Sequence, residues 1–306
     1  MGISKATVSL FFELKTEIPL GGVICQLGRQ TTDVPVRQAG AIARKFSFPS
    51  AMLDAEESET GGKRHIDDVL LFRTLGFERV ESLDASPYEN ATHIHDFNLP
   101  VPERLHGKYD LIFDGGTLEH IFDFPQCLQN IHLMLKPGGL VVHCSPTNNY
   151  VDHGFYMFSP TLFADYYSAN QYKIVRSRLL QYSLDLPQKR SIIYDYLPGS
   201  LDRMGIGAWG RDALQTWLVA QKTPESTANV IPQQGTYLRT WPETQSAASR
   251  PKAIADSRVR AFGRRVREGA RANVAPYVFI FKLLAPVIFF YRVWQRRRRP
   301  RVVARY

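Results

Sequence analysis

Two neighbouring stretches constrain the fold most: Tyr109-Asp-Leu-Ile-Phe-Asp-Gly-Gly-Thr-Leu-Glu-His-Ile121 and Leu133-Met-Leu-Lys-Pro-Gly-Gly-Leu-Val-Val-His143. The first is a short apolar run that stops at an acid and two glycines. The second is the end of a helical pattern, a Pro-Gly-Gly turn and another apolar run. Strands hydrophobic along their whole length are buried on both faces, so a strand-helix-strand unit of this kind predicts an open, mostly parallel sheet covered by helices. In such sheets ligands lie beyond the carboxyl ends of the strands, where Asp114, Gly115, Gly116 and Glu119 fall.

The same punctuation recurs along the first 222 residues. Gly22 to Leu27 reads as a first strand ending at Gly28, Arg79 to Asp84 as a second, Thr92 to Asp96 as a third, Leu111 to Asp114 as a fourth and Leu140 to Cys144 as a fifth. Helical periodicity is expected near 36–45, over 67–75 with Gly76 as its C-terminal cap, over 125–135 and near 161–168. A strand near 172–180 follows, and Thr216 to Lys222 is expected to close the sheet as its last, antiparallel strand. Residues 183–212, with Pro187, Pro198, Gly199, Gly205 and Gly207, read as an inserted loop able to cover a pocket.

An adenosyl ligand needs a turn free of side-chain obstruction and a carboxylate that accepts both ribose hydroxyls. Gly28 would supply the turn and Asp84 the carboxylate, while Asp96 and Phe97 would meet adenine. These residues, with Leu83-Asp-Ala-Ser86, His95-Asp-Phe-Asn98, Asp114-Gly-Gly-Thr-Leu-Glu-His120 and Leu135-Lys-Pro-Gly-Gly139, fall in one order. In that order the chain from Gly21 to Lys222 resembles a class I S-adenosylmethionine-dependent methyltransferase. The resemblance implies a Rossmann-like α/β sheet with helices on both faces and S-adenosylmethionine as cofactor. It also implies cofactor contacts at Gly28, Asp84, Ser86, Asp96, Phe97, Asp114, Gly115 and Gly116. The turn after strand one departs from the family, with Arg29 and Gln30 where a second glycine is usual. Either the cradle is modified, with Arg29 near the cofactor carboxylate, or cofactor binding has been lost; the intact ribose and adenine positions favour the first.

Methyl transfer is an in-line displacement in which a protein mainly positions donor and acceptor and takes up a proton. His153 and Tyr156, which follow strand five, are the leading candidates for this work, and His120 is the next. No metal motif is apparent, because Asp152, His153 and the His93/His95 pair lack ligand spacing. An oxygen or nitrogen acceptor is expected, either a small molecule or a membrane-associated sugar or glycan precursor. A scaffold that has kept the fold and lost the chemistry is the alternative. A nicotinamide-dependent enzyme is disfavoured because GxGxxG is missing at strand one.

Charge separates the tail from the body. Residues 251–306 hold 15 Lys and Arg against two acids, a net +13, which leaves −4 for residues 1–250. Residues 223–252 read as a flexible linker rich in Pro, Gln, Thr, Ser and Ala. Beyond them a basic amphipathic helix around Val259, Phe262 and Val266 is expected, then an apolar, aromatic block from Val274 to Trp294. Lys282 and Arg292 leave too short an uncharged run to span a bilayer, so the 253–306 tail is expected to lie on an anionic membrane surface. Nucleic acid is a poorer match to such an apolar block. With three scattered cysteines and no leader pattern, the body is expected to be cytoplasmic, peripheral on the inner face of a membrane.

Overall fold

The computed structural model describes residues 2–60, 64–182, 191–201, 209–240 and 302–305. The chain divides into two compact units. The first comprises residues 1–198, 211–232 and 301–306, and the second 199–210 and 233–300.

The first unit opens with α1 (Lys5–Glu17), whose N-cap Ser4 accepts from the Thr7 amide, and β1 (Gly22–Leu27). Helices α2 (Val36–Lys45), α3 (Ala51–Thr60) and α4 (Asp68–Thr74) follow, then β2 (Phe77–Asp84), β3 (His93–Ile94) and β4 (Tyr109–Asp114). A 3₁₀ turn at Leu118–His120 leads to α5 (Phe124–Met134), β5 (Leu135–His143), β6 (Pro146–Asn148) and α6 (Pro160–Ala169). β7 (Lys173–Tyr182), β8 (Ser191–Asp195) and β9 (Ala213–Gln221) come next, and β10 (Val302–Arg305) comes last.

The strands form one sheet in the order β10-β8-β7-β9-β5-β4-β1-β2-β3, with β6 paired to β9. β3, β2, β1, β4 and β5 are mutually parallel. β9 slots between β5 and β7, antiparallel to both. The Rossmann-like sheet with parallel β1 to β5 and antiparallel β9 is as expected, but β9 is not its edge: β7, β8 and β10 extend the sheet beyond it by antiparallel pairing. The chain passes outward from β1 to β2 and β3, then returns to the other side of β1 as β4. That reversal makes the switch point between β1 and β4 the natural ligand crevice.

Side-chain alternation sorts the helices onto the two faces. Leu111 and Phe113 of β4, Val142 of β5 and Trp217 of β9 join the core cluster built with α1 to α4. The Phe11 ring stands edge-on to Phe72, Phe113 and Trp217 at 5.3, 5.1 and 5.0 Å. The alternate positions face α5 and α6, with His143 stacked on Phe163 at 4.3 Å. All three cysteines are free and buried, as core residues.

Three expectations change. Residues 183–212 are not all loop, because Ser-Ile-Ile-Tyr-Asp forms β8, paired antiparallel with β7 and with Ile193 and Tyr194 buried. The proposed linker begins later than 223. Buried Asn170 at the end of α6 bonds the Val230 amide and carbonyl and the Thr227 hydroxyl, and Tyr166 donates to Ala228 O. The C-terminal tail is also not wholly separate, since residues 302–305 return to the body as β10 and pair with β8. In the second unit, the described part comprises residues 199–201, 209–210 and 233–240, including α7 (Gly235–Thr240). The amphipathic and apolar parts of the expected tail lie outside the described residues. Among the described residues no helix is long and apolar enough to cross a membrane.

Candidate active site

The carboxyl ends of β1, β2 and β4 converge on Gly28. Its backbone is left-handed at φ 67°, and its amide donates to Leu83 O at 2.8 Å. A Cβ there would stand 2.9 Å from Thr117 Oγ1 and 3.5 Å from Asp84 Oδ2, so only glycine brings the three strand ends this close. Asp84 is half-buried. Its Oδ1 accepts from the Ser86 amide at 3.0 Å, and its Oδ2 is the oxygen turned toward the Gly28 turn.

The residues that replace the expected second glycine have separate tasks. Arg29 turns to Asp68, with Nη2 and Oδ1 2.8 Å apart, while Gln26 Nε2 holds the other oxygen of that buried carboxylate. This pairing directs Arg29 Nη2 to Asp68, whereas the sequence reading expected Arg29 near a cofactor carboxylate. Gln30 folds inward. Its Nε2 donates to Leu27 O at 3.1 Å, and its Oε1 lies against Gly115, where a Cβ would come within 2.5 Å. Gln30 Oε1 is buried and has no hydrogen-bond partner among the described residues. An orphaned buried acceptor costs about 1–3 kcal/mol, so it calls for a donor such as a ligand ammonium.

Asp96 and Phe97 contribute less than expected. Asp96 Oδ1 accepts from the amide and side chain of Asn98, which closes a turn and holds the carboxyl below its ordinary range. The Phe97 ring is buried in the protein core, with 4% exposure, and its carbonyl accepts from Asn130. The ring is therefore not free to cover a purine.

Asp114 also points away from a ligand. It is fully buried, and its Oδ1 accepts from the amides of Gly116, Thr117 and Leu118 at 3.3, 2.9 and 3.2 Å. Its Oδ2 accepts from His143 Nδ1 at 2.8 Å and Ser145 Oγ at 2.9 Å, and His143 Nε2 meets Tyr167 OH at 2.7 Å. Burial opposes the charge, yet the hydrogen bond and charge of His143 and the loop amides hold the carboxyl below its usual range. Asp114 shapes the Gly115-Gly116 turn from beneath. The sequence reading missed His143, Ser145 and Tyr167, whose only signal was polarity within apolar runs.

The 3₁₀ turn places Glu119 under the loop that follows β6. Phe155 N and Tyr156 N donate to Glu119 O, and a Cβ on Gly154 would be 2.9 Å from that oxygen. The Glu119 side chain is fully buried, and neither carboxylate oxygen has a hydrogen-bond partner among the described residues. Burial, reinforced by the negative charge of Asp114, raises its carboxyl to about 8. His153 Nε2 is 3.5 Å and His120 Nε2 3.9 Å from Glu119 Oε1, with the two imidazoles 5.0 Å apart. Burial lowers both histidines, favouring their neutral forms. Tyr156 is committed elsewhere, its OH donating to Phe122 O at 2.8 Å. Phe122 and Phe155, whose rings are 5.8 Å apart, form an exposed aromatic lip beside these groups.

A cavity of about 550 Å³ lies at the opposite edge of the sheet, lined by Gly22, Asp110, Gly139 and neighbours at the amino ends of the strands. None of the converging polar groups faces it, so it is not the chemical site.

The glycine turn, the strand-two carboxylate and the buried polar groups thus gather at the carboxyl edge of the sheet, where open α/β sheets hold their ligands. Residues 59–194 match a family model described as a methyltransferase domain. This segment, less than half of the chain, is similar to methyltransferase domains. It carries Asp84, Asp114 and the Glu119 cluster, while Gly28 precedes it. Three similar solved structures each cover more than two thirds of this chain. One is the 1,6-didemethyltoxoflavin-N1-methyltransferase of Burkholderia thailandensis with bound 1,6-didemethyltoxoflavin and S-adenosylhomocysteine (13% identity, 72% of this chain and 78% of that chain, TM-score 0.36). The second is a putative methyltransferase of Bacillus halodurans C-125 (9%, 71% and 99%, TM-score 0.37). The third is the N-methyltransferase NodS of Bradyrhizobium japonicum WM9 (12%, 72% and 96%, TM-score 0.36). No curated protein matches the chain.

Proposed function

We propose that the domain binds S-adenosylmethionine across the carboxyl ends of β1, β2 and β4 and methylates an oxygen or nitrogen acceptor beside Glu119, His120 and His153. The observation that carries this reading is the Asp84 carboxylate at the Gly28 turn together with the orphaned Gln30 amide oxygen against the Gly115 turn. These groups fit the cofactor: Asp84 would accept from two ribose hydroxyls, and Gln30 Oε1 would accept from the ammonium of the amino acid end. When bound, the cofactor supplies an electrophilic methyl group on a sulfonium.

The residues of this chain then have separable roles. Gly28 and Gly115 keep the floor of the site free of side chains, and Asp114 holds the turn between β4 and Glu119. Neutral His153 or His120 takes up the acceptor's proton. The Phe122–Phe155 lip supports an acceptor with an apolar portion.

The basic, aromatic tail supports an acceptor presented at an anionic membrane on the cytoplasmic side, for which a sugar or glycan precursor is the proposed class. The rival reading, a non-catalytic binding protein, is favoured by Gln30 filling the space of the usual second glycine.

Calorimetry on the full chain with S-adenosylmethionine, S-adenosylhomocysteine and NAD separates these readings. Binding of the two sulfur compounds, weakened more than tenfold by Asp84→Ala, is the expected result, because two hydrogen bonds to a charged group are lost. Silence with all three ligands overturns it in favour of the scaffold. With a methylated product in hand, His153→Ala is expected to lower kcat far more than cofactor affinity.

A further inference from the structure

Three donor groups meet beside the cofactor crevice, from segments far apart in sequence. Glu119 and His120 come from the 3₁₀ turn after β4, and His153 from the loop after β6. One ligand atom from each lies within 4.8 Å of the others. We propose that Glu119, His120 and His153 form a binding site for one divalent transition-metal ion, with zinc the best match to the donor set.

Geometry comes first. Zinc bound to imidazole and carboxylate at about 2.0–2.1 Å in a tetrahedron places its ligand atoms about 3.3 Å apart. Glu119 Oε1 already stands 3.5 Å from His153 Nε2 and 3.9 Å from His120 Nε2. Closing these two gaps needs movements of about half an ångström, and drawing the two imidazole nitrogens from within 4.8 Å of each other needs at most about 1.5 Å, within rotamer freedom.

The state of the donors is the second observation. Glu119 is fully buried with both oxygens unpartnered, and the buried His153 Nε2 likewise has no hydrogen-bond partner among the described residues. A buried carboxyl group and a ring nitrogen left this close, too far apart to hydrogen-bond well, are two ligand atoms with no partner of their own among the described residues. One cation satisfies both, and the second imidazole completes a two-histidine, one-carboxylate set that suits zinc and its neighbours better than magnesium or calcium.

The frame is rigid where it must be. The Phe155 and Tyr156 amides anchor the His153 loop on the Glu119 carbonyl, and Gly154 permits that close approach. His120 remains partly exposed, so the ion would be reached from the aromatic lip. Three protein ligands leave a coordination position for water or an acceptor oxygen, as in catalytic zinc sites. Within the methyltransferase reading, a bound ion would replace the histidines as the group that eases loss of the acceptor's proton, so the site selects an oxygen acceptor. The ion-binding itself does not depend on that reading.

The test is titration of zinc chloride into chelator-treated full-length protein, read by calorimetry, with cobalt(II) absorption as a second probe of coordination. The expected result is one ion per chain with micromolar or tighter affinity and cobalt bands of a low-coordinate site. Glu119→Gln and His153→Ala should each weaken zinc at least tenfold while retaining the wild-type circular dichroism spectrum. Failure to bind zinc saturably, or equal affinity in both variants, overturns the site, the latter by placing the ion on other histidines. A parallel S-adenosylhomocysteine titration keeps the readings distinct, because loss of that binding with zinc binding intact refutes the cofactor site alone.

Discussion

Asp114 is the side chain whose replacement should reveal most about how the fold builds its site. Its carboxylate accepts five hydrogen bonds: three from the amides of the β4 turn and two from His143 and Ser145. Asp114→Ala leaves five buried donors without their acceptor. With about 1–3 kcal/mol for each unsatisfied group, tempered by relaxation, the loss should reach about 5 kcal/mol. That is a large share of the 5–15 kcal/mol typical of a domain. Asp114→Asn keeps a carbonyl for the turn amides and loses mainly the charge-assisted pair at Oδ2, which predicts about 2–4 kcal/mol. At about 2–4 °C per kcal/mol for a domain of this size, calorimetric melting should fall by roughly 5–15 °C for Asn and further for Ala. The Asn variant should also bind S-adenosylhomocysteine more weakly, because Gly115 and Gly116 lose their anchor. The folded carboxyl lies below its ordinary value, so its contribution is present above pH 3.8 and is lost as pH falls through the lowered folded value. The gap between wild type and Asn should narrow on acidification. An Ala variant melting within about 3 °C of wild type would refute this account of the turn.

Three further outcomes are expected. Gly28→Ala combines a positive φ with a 2.9 Å contact to Thr117 Oγ1, so urea unfolding should show a loss of about 1–2 kcal/mol, and calorimetry weaker cofactor binding. His132 is lowered to about 4 by burial, aided by the Lys222 charge, so the folded protein resists protonation there while the unfolded chain accepts it near pH 6.5. Its stabilising contribution is present above 6.5 and fades as pH falls toward 4, so a His132→Gln variant should show a flatter urea midpoint over that window. Full-length protein should float with anionic liposomes, and replacing Arg296 to Arg299 with Gln should reduce flotation most at low salt. Full-length variants are the right comparison because truncation at 250 would also remove β10 from the edge of the sheet.

The parts of the fold legible in the sequence were those whose signal is local. A strand buried on both faces needs an unbroken apolar run, and a tight turn at its carboxyl end needs small residues, so β1, β4 and β5 and the Gly28 and Gly115-Gly116 turns could be read directly. Asp84 could be read for the same reason. β8 escaped because five residues between Pro- and Gly-rich flanks carry little signal until β7 offers a pairing edge. α1 escaped because it is buried on nearly all sides, Thr7 and Ser9 included, which blurs its periodicity.

Tertiary structure decided what each polar side chain faces. Sequence marks Asp114 as a strand-end acid open to a ligand, but the pleat of β4 turns it toward β5 and α6, where His143, Ser145 and Tyr167 complete a buried network. Arg29 was available to any anion until α4 brought Asp68 beside it. Glu119 and His120 are adjacent in the chain, but His153 joins them only because β4 and β5 are neighbours and Gly154 lets the later loop close over the 3₁₀ turn. Local composition sets which residues are buried and where the chain turns. The meeting of donors more than thirty residues apart depends on strand order and close backbone approach, which no short window of sequence contains.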